Sequence, residues 1–303
     1  MKKLALSIAV SSIALAAASA QADETIYEND GLSLTVGADV EYAFTAQGDD
    51  SASLDIDDAD FDVKISSEME NGATVFGYFE IEENGQDAVQ LSDSYVGFSY
   101  DAVTVSVGKQ VTAADNYGIG QDYWYGVDNN AIIADYGSEV VYVEYAADTF
   151  TIVAAVDLAL EGEDTDDEGV YDLNVEADVA DGVTVSGLLQ STTDIATATD
   201  DTTTFGIAAS YSMDAYTVGA EYTYETESEV GAWEIAGAYS VTDAAAVFGG
   251  LGNSDSEDDT TDLQYYVGAD YDLTDYATVY AEIAGDDADD SDMGLALGMA
   301  VSF

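Results

Sequence analysis

Carboxylates are the abundant chemically active side chains of this sequence, which has 63 Asp and Glu residues against four Lys and Arg residues. Histidine and cysteine are absent. The chain therefore lacks the groups needed for Ser-His, Cys-His and Asp-His catalysis and for common zinc sites. Paired carboxylates could act as general acid and base, but their abundance makes any single pair uninformative. We expect no enzyme, no catalytic residue and no cofactor.

Acidic runs also raise the question of metal binding. Residues 164–169 begin like an EF-hand calcium loop, but Val175 occupies the twelfth position, where a bidentate Glu is needed. Two further runs, residues 255–259 and 286–290, could hold divalent ions loosely at the cell surface. Hydrated loop charge is the favoured interpretation of both runs, so we expect no resident metal.

The formal net charge of −59 excludes some partners and favours others. Such a field repels nucleic acid and concentrates cations. Two explanations stay open: selectivity for cations, and adaptation to a saline habitat in which carboxylates keep a surface hydrated. They do not exclude each other.

The first 22 residues have the pattern of a secretory signal peptide. Lys2 and Lys3 precede an apolar stretch from residue 4 to 18, and small residues place cleavage after Ala20 or Ala22. No later stretch reaches the roughly 20 apolar residues of a transmembrane helix. We therefore expect one domain at residues 23–303, in which any membrane role is carried by strands.

Apolar residues recur at every second position from Gly31 onward, which predicts β-strands with two different faces. The closing segment, residues 293–303, shows the pattern most clearly. One face carries Met293, Leu295, Leu297, Met299, Val301 and Phe303; the other carries Gly294, Ala296, Gly298, Ala300 and Ser302. A soluble sandwich with an apolar interior gives the same alternation, so the pattern alone leaves the architecture open.

The connections between strands distinguish a barrel from a sandwich. Short turns rich in Asn, Asp and Gly fall near residues 71, 101, 147, 181, 214, 243 and 275, and eight longer polar connections alternate with them. A transmembrane up-and-down barrel has short periplasmic turns and long external loops, whereas a Greek-key sandwich does not. Eight long loops predict sixteen antiparallel strands that close where the first strand meets the last. Aromatic residues near predicted strand ends suit interfacial girdles: Tyr95, Tyr100, Phe150, Tyr271, Tyr276 and Phe303.

Several segments resemble the general porins of Gram-negative bacteria. Residues 26–34 are similar to the opening of the mature porins, residues 61–68 and 77–80 to their second and third strands, and the terminal Phe303 to their assembly signal. Residues 94–98, 107–109 and 116–118 resemble the fourth and fifth strands and the start of the third loop. The resemblance implies an outer-membrane homotrimer of sixteen-stranded barrels in contact with lipid and lipopolysaccharide. It also implies a third loop, here residues 111–136, that folds into the lumen.

Two departures from the family pattern concern the constriction. The Pro-Glu-Phe-Gly-Gly type of loop motif is missing, and the wall positions that carry arginines in the family fall on Asp60, Lys109 and Ser138. The resemblance therefore implies a weakened transverse field. Strand alternation turns Asp60, Asp62 and Lys64 toward the lumen, where Lys64 either reduces repulsion between carboxylates or contacts solutes. Alternation would turn Lys109 toward lipid, unless Gly108 forms a bulge that turns it inward, which we favour.

The sequence predicts a water-filled channel for passive diffusion of small hydrophilic solutes and ions, with cations favoured. The predicted pore-lining and constriction residues are Asp60, Asp62, Lys64 and Lys109 on the wall, and Asp115, Tyr117, Asp122, Tyr123, Trp124 and Asp128 on the loop. The loop aromatics, with Tyr125, either shape the constriction and stack against sugars or pack the loop against the wall. A channel selective for one nutrient and a structural or adhesive barrel without an open pore are the alternatives.

Overall fold

The computed structural model describes residues 24–48, 52–83, 89–120, 123–127, 133–158, 168–194, 201–227, 229–256, 259–260, 263–287 and 293–303. The predicted signal peptide lies outside these residues. In the described part, one short 3-10 helix, η1 (Ala114–Asn116), accompanies the strands. None of the described helical structure is long and apolar enough to cross a membrane.

Within the described ranges, eighteen strands form a single antiparallel sheet. In chain order they are β1 (Glu24–Asn29), β2 (Leu32–Gln47), β3 (Ser53–Glu68), β4 (Thr74–Glu83), β5 (Val89–Tyr100), β6 (Val103–Val111), β7 (Tyr136–Ala146), β8 (Phe150–Asp157), β9 (Glu168–Ala180), β10 (Val183–Asp194), β11 (Asp201–Met213), β12 (Tyr216–Glu225), β13 (Gly231–Thr242), β14 (Ala245–Ser256), β15 (Asp259–Thr260), β16 (Gln264–Thr274), β17 (Ala277–Asp286) and β18 (Gly294–Ser302).

Sixteen of these strands close into a barrel, as the loop pattern predicts. Each pairs with its neighbours in sequence, β14 pairs with β16 across the two-residue β15, and β18 pairs with β2 from Gly294↔Gln47 to Ser302↔Asp39. The main chain of Phe303 extends this seam through two hydrogen bonds with Ala38. Closure leaves no open edge among the sixteen, which a bilayer requires because unpaired backbone groups there have no water to bind.

Strand β1 lies outside the ring of sixteen. It forms a hairpin with the first part of β2 through the turn at Asp30 and Gly31, both of which have positive φ. Asp and Gly are common in such turns because they tolerate this backbone conformation. The pairing of β2 with β18 ends at Asp39, and its pairing with β1 begins at Val36, opposite Glu24. Strand β1 therefore occupies the edge of β2 beyond the end of β18.

Burial along the strands shows an apolar outer face and a polar inner face. In β3, Phe61 and Ile65 are 44% and 50% exposed, whereas Asp62 between them is 1% exposed. In β18, Leu297 and Met299 are exposed and Ala296 is completely buried. A sandwich with an apolar interior would bury the large side chains, so burial decides for the barrel.

Exposed aromatic side chains lie near both ends of the strands. At the end with short turns, Tyr145 packs on Phe150 and Tyr216 on Tyr239, with ring centroids 5.8 and 4.7 Å apart. Tyr100, Tyr271, Tyr276 and Phe303 are also exposed there, as expected for an interfacial girdle. The assignment of Tyr95 to a girdle is wrong: it stacks on Tyr78 at 5.0 Å on the inner face, because Tyr95 pairs with inward-facing Gly108.

Candidate functional site: the third loop and the acidic wall of the lumen

The described part of the loop between β6 and β7 lies inside the barrel. Tyr117 is 4% exposed and packs with Ile119 against inward-facing Leu188, Ala208 and Ala236. Its hydroxyl donates a hydrogen bond of 3.0 Å to the backbone oxygen of Tyr222 on β12. These contacts place the first half of the loop on the inner face of β10 to β13.

Glycine residues on the inner wall make room for the loop. A Cβ atom at Gly206 would lie 2.6 Å from the ring of Tyr117, and one at Gly294 would lie 2.6 Å from the ring of Tyr125. The inner face of the closing strand therefore carries small residues because the ring of Tyr125 lies against it at Gly294. Packing at this distance leaves no space for even one methyl group.

A larger side chain at Gly206 should displace the loop. We expect Gly206→Leu to push Tyr117 toward the middle of the lumen, reducing single-channel conductance and destabilising the barrel by about 1–3 kcal/mol through overpacking. Conductance in planar bilayers and urea unfolding in vesicles measure the two effects. Gly187→Leu is the matched control, because Gly187 faces outward and a Cβ there meets only Gly206 O at 3.9 Å. Equal losses in both variants would contradict this account.

Polar side chains of the wall hold the base of the loop. Asp172 Oδ2 accepts a hydrogen bond of 3.0 Å from the Ala114 N–H. Gln190 accepts from the Ala134 N–H at 2.8 Å and donates to the Ala134 carbonyl at 2.7 Å. Because Gln190 is completely buried, these bonds are protected from competition with water.

The Glu282 carboxylate holds the far part of the loop. It accepts backbone N–H bonds from Tyr123, Trp124 and Tyr125 at 2.9, 3.4 and 2.5 Å. Three successive amides that converge on one buried carboxylate form an anion-binding concavity. Glu282 is 1% exposed, so its charge is balanced by backbone dipoles rather than by water.

Two loop aromatics, Tyr117 and Tyr123, pack the loop against the inner wall of the barrel. Tyr123 stacks on Tyr280 with centroids 4.4 Å apart and lies 5.4 Å from the ring of Phe248. Tyr117 is buried, as described above. Of the two sequence interpretations, packing against the wall therefore applies to Tyr117 and Tyr123. Trp124 is half-buried against a cluster that includes Ala43 and Ala296.

Seven of the inward carboxylates on β2, β3 and β4, which lie in adjacent rows, form a second feature, which we call the acidic wall. It consists of Asp39, Glu41, Asp58, Asp60, Asp62, Glu80 and Glu82. Cross-strand pairing sets like charges directly opposite one another, in the rows Asp39↔Asp60↔Glu82, Glu41↔Asp58 and Asp62↔Glu80. Such pairs are destabilising, so the wall is not explained by stability.

Lys64 lies at one end of the acidic wall. It opposes Thr35 and Tyr78 and follows Asp62 on the inward face of β3. Its Nζ lies 5.8 Å from the centroid of the Phe76 ring, a cation–π contact. An aromatic face thus holds this ammonium next to the carboxylates.

Lys109 lies where β5 and β6 separate. The ladder between these strands ends at Ser94↔Lys109, and the register of β6 against β7 shifts between Gly108 and Gln110. Gly108 has φ 145°, so the predicted irregularity is present. Lys109 Nζ donates to the Leu91 carbonyl at 2.7 Å and lines a recess with Glu80 and Glu82. The bulge thereby gives the lysine polar neighbours.

Asp115 is the predicted loop carboxylate that the structure describes; Asp122 and Asp128 lie outside the described residues. Asp115 is exposed to the lumen, and desolvation by the surrounding protein raises its pKa to about 6. The nearby charges of Asp135 and Asp93 act in the same direction. A carboxyl group with this pKa is charged above pH 6 and neutral below it.

Acidification should therefore remove one charge from the loop. A group with this pKa is about nine-tenths ionised at pH 7 and about one-tenth ionised at pH 5. We expect potassium conductance to fall over this interval and Asp115→Asn to show a smaller fall. Bilayer currents at symmetric pH measure it, with Asp148→Asn, at the turn between β7 and β8, as the control. An unchanged pH profile in Asp115→Asn would refute this assignment.

Comparison with known proteins identifies the family. A family model described as Gram-negative porin matches residues 9–291. The chain belongs to the Gram-negative porin family. Porin-like protein H of Photobacterium profundum is 29% identical over 230 residues, which are 73% of this chain and 68% of that protein. Family and fold place this porin in the outer membrane and favour a channel over an enzyme.

Solved structures support the same fold. The trimer form of OmpT, an outer membrane protein of Vibrio cholerae, superposes with a TM-score of 0.77 at 18% identity, covering 90% of this chain and all of that chain. A triple mutant of the Rhodopseudomonas blastica porin gives a TM-score of 0.70 at 16% identity, covering 89% of this porin and all of that chain. This porin thus shares its barrel fold with both structures.

Sequence reasoning missed the residues that hold the loop. Glu282 has the inward parity that alternation predicts for β17, and it pairs with Ala296, a small residue on the neighbouring strand. An inward carboxylate next to a small residue has space beside it for another segment. This pattern could have identified Glu282 from the sequence. Glu80 and Glu82 were missed for a simpler reason: acidic residues are so frequent that strand register is needed to group them.

Proposed function

We propose that this porin forms a cation-selective channel for passive diffusion of small hydrophilic solutes and ions. The observation that carries the proposal is the acidic wall, with seven carboxylates and Lys64 on three adjacent strands. Fixed negative charges along an aqueous path raise the local concentration of cations and lower that of anions. Stability does not account for directly opposed carboxylates, so a function in the lumen is the better explanation.

The position of the loop supports an open path beside this wall. Described loop residues contact the inner face from β8 to β18 and reach Ala43 on β2. On the inward face of β3 and β4, Asp58 and Lys64 are exposed, and Asp60, Glu80 and Glu82 are half-buried. Solutes would therefore pass between the loop and the accessible part of the acidic wall, with Asp60, Lys64 and Asp115 at the border of the path. Asp62, which the sequence also assigns to the pore lining, is buried within the wall.

Reversal potential tests the proposal. Purified porin in a planar bilayer with a tenfold KCl gradient should give an ohmic conductance whose reversal potential tracks potassium. Reversal toward chloride would overturn cation selectivity. Absence of conductance would favour the structural barrel instead, and block by one sugar at low concentration would favour a nutrient-selective channel.

We further propose a homotrimer in contact with outer-membrane lipid and lipopolysaccharide. Support comes from the trimer form of the similar OmpT structure and from the continuous apolar outer face. Without a cross-linker, the porin in unheated detergent should migrate as a trimer that dissociates on heating, and cross-linking in native outer membranes should give a trimer band that survives heating. A monomer that resists cross-linking under the same conditions would exclude the trimer.

A further inference from the structure

A recess of about 640 Å³ opens on the lumen where β5 and β6 separate. Its wall consists of Tyr78, Glu80, Glu82, Gln90, Ser92, Asp93, Lys109, Val111, Asp115 and Tyr136. The volume lies in the range of sites for small molecules. Strands β4, β5 and β6 supply most of the lining, and η1 supplies Asp115.

The recess holds four carboxylates and one ammonium group. Neutral donors orient the glutamates: Glu80 accepts from the Tyr78 hydroxyl at 2.6 Å and the Ser92 hydroxyl at 2.7 Å, and Glu82 accepts from the Gln90 amide at 2.8 Å. These bonds fix the carboxylates without neutralising them. Since partly buried charge needs a counter-charge, the recess favours an additional cation.

Aromatic faces in the recess indicate which kind of cation it suits. Lys109 Nζ lies 5.6 Å from the centroid of the Tyr136 ring, and Tyr136, at 39% exposure, keeps part of its surface open. The protein's own ammonium therefore already occupies an aromatic face beside carboxylates. Weakly hydrated organic cations gain most from such a face, because they lose little hydration on contact.

We infer that this recess is a binding site for organic cations, such as substituted ammonium ions on their way through the lumen. The carboxylates of Glu80, Glu82 and Asp93 supply charge, and the Tyr136 ring supplies a surface from which weakly hydrated cations gain more than strongly hydrated ones. Lys109 competes for the same ring. The inference rests on the proposed cation-selective channel and names a substrate class for it.

Block of potassium current by tetramethylammonium tests the recess. We expect concentration-dependent block of the wild-type channel. Tyr136→Leu should raise the half-blocking concentration about three- to fivefold, the loss expected for one cation–π contact, while Tyr136→Phe, which keeps the ring, should stay within about twofold of wild type. Glu80→Gln should weaken block, and Lys109→Ala should strengthen it because a competitor is removed.

The outcomes separate the recess from the channel function. No block of a wild-type channel that still reverses toward potassium would overturn the recess and leave the proposed function standing. Equal block of Tyr136→Leu and Tyr136→Phe would also overturn it, because binding would then not use the ring. Reversal of the wild-type channel toward chloride would overturn the proposed function itself.

Discussion

Replacing Glu282 by alanine is expected to free the far part of the third loop. The carboxylate accepts three backbone N–H bonds, from Tyr123, Trp124 and Tyr125. A hydrogen bond to a charged group contributes about 1.5–3 kcal/mol, so the loss of this anchor should lower the local opening free energy by about 3 kcal/mol. Amide exchange of the three residues should then accelerate about 100-fold.

Hydrogen exchange followed by mass spectrometry of peptides that cover residues 123–127 measures this effect. Open-channel current noise should rise in parallel, because the loop segment would move within the lumen. Glu144→Ala is the control: Glu144 is an inward carboxylate that pairs with Thr104 and Val153 on neighbouring strands. Unchanged exchange in Glu282→Ala would mean that packing of Tyr123 on Tyr280 and Phe248 holds the loop without the carboxylate.

The barrel could be predicted from the sequence because its determinants are local. Alternation along residues 293–303 gives the two faces of β18, and turns such as Asp181-Gly182 mark the strand ends. Closure follows from an even number of strands whose edges cannot stay open in a bilayer. The inward position of Tyr95 was also within reach of alternation, because Val96, Phe98 and Tyr100 on the same regular stretch of β5 face outward.

The site was less predictable because it depends on register and on distant contacts. Strand alternation alone predicts that Asp60, Asp62 and Lys64 face inward. Asp60 lies opposite Asp39 and Glu82 because of the register between β2, β3 and β4. The sequence of any one strand does not determine that register. The contact of Glu282 with Tyr123 joins residues 159 positions apart. It depends on where the loop folds back, and periodicity carries no information about that.

Neutralising one row of the acidic wall should reduce selectivity and increase stability. Asp60 and Glu82 oppose each other directly, and Asp39 lies on the other side of Asp60. Two unit charges that each change the energy of a passing ion by about 0.3–0.4 kcal/mol, in opposite directions for potassium and chloride, together alter the potassium-to-chloride permeability ratio about tenfold. We expect the double variant Asp60→Asn and Glu82→Gln to lower the potassium-to-chloride permeability ratio by this factor.

The same double variant should increase the free energy of unfolding. Removing directly opposed like charges should stabilise the barrel by about 0.2–1 kcal/mol for each pair. Reversal potentials in a KCl gradient and urea unfolding in vesicles measure the two effects on the same protein. The matched control is Glu176→Gln with Asp178→Asn, which neutralises two inward carboxylates of β9. An equal loss of selectivity in both double variants would assign selectivity to the charge of the whole barrel, whereas a loss confined to the first assigns it to the acidic wall.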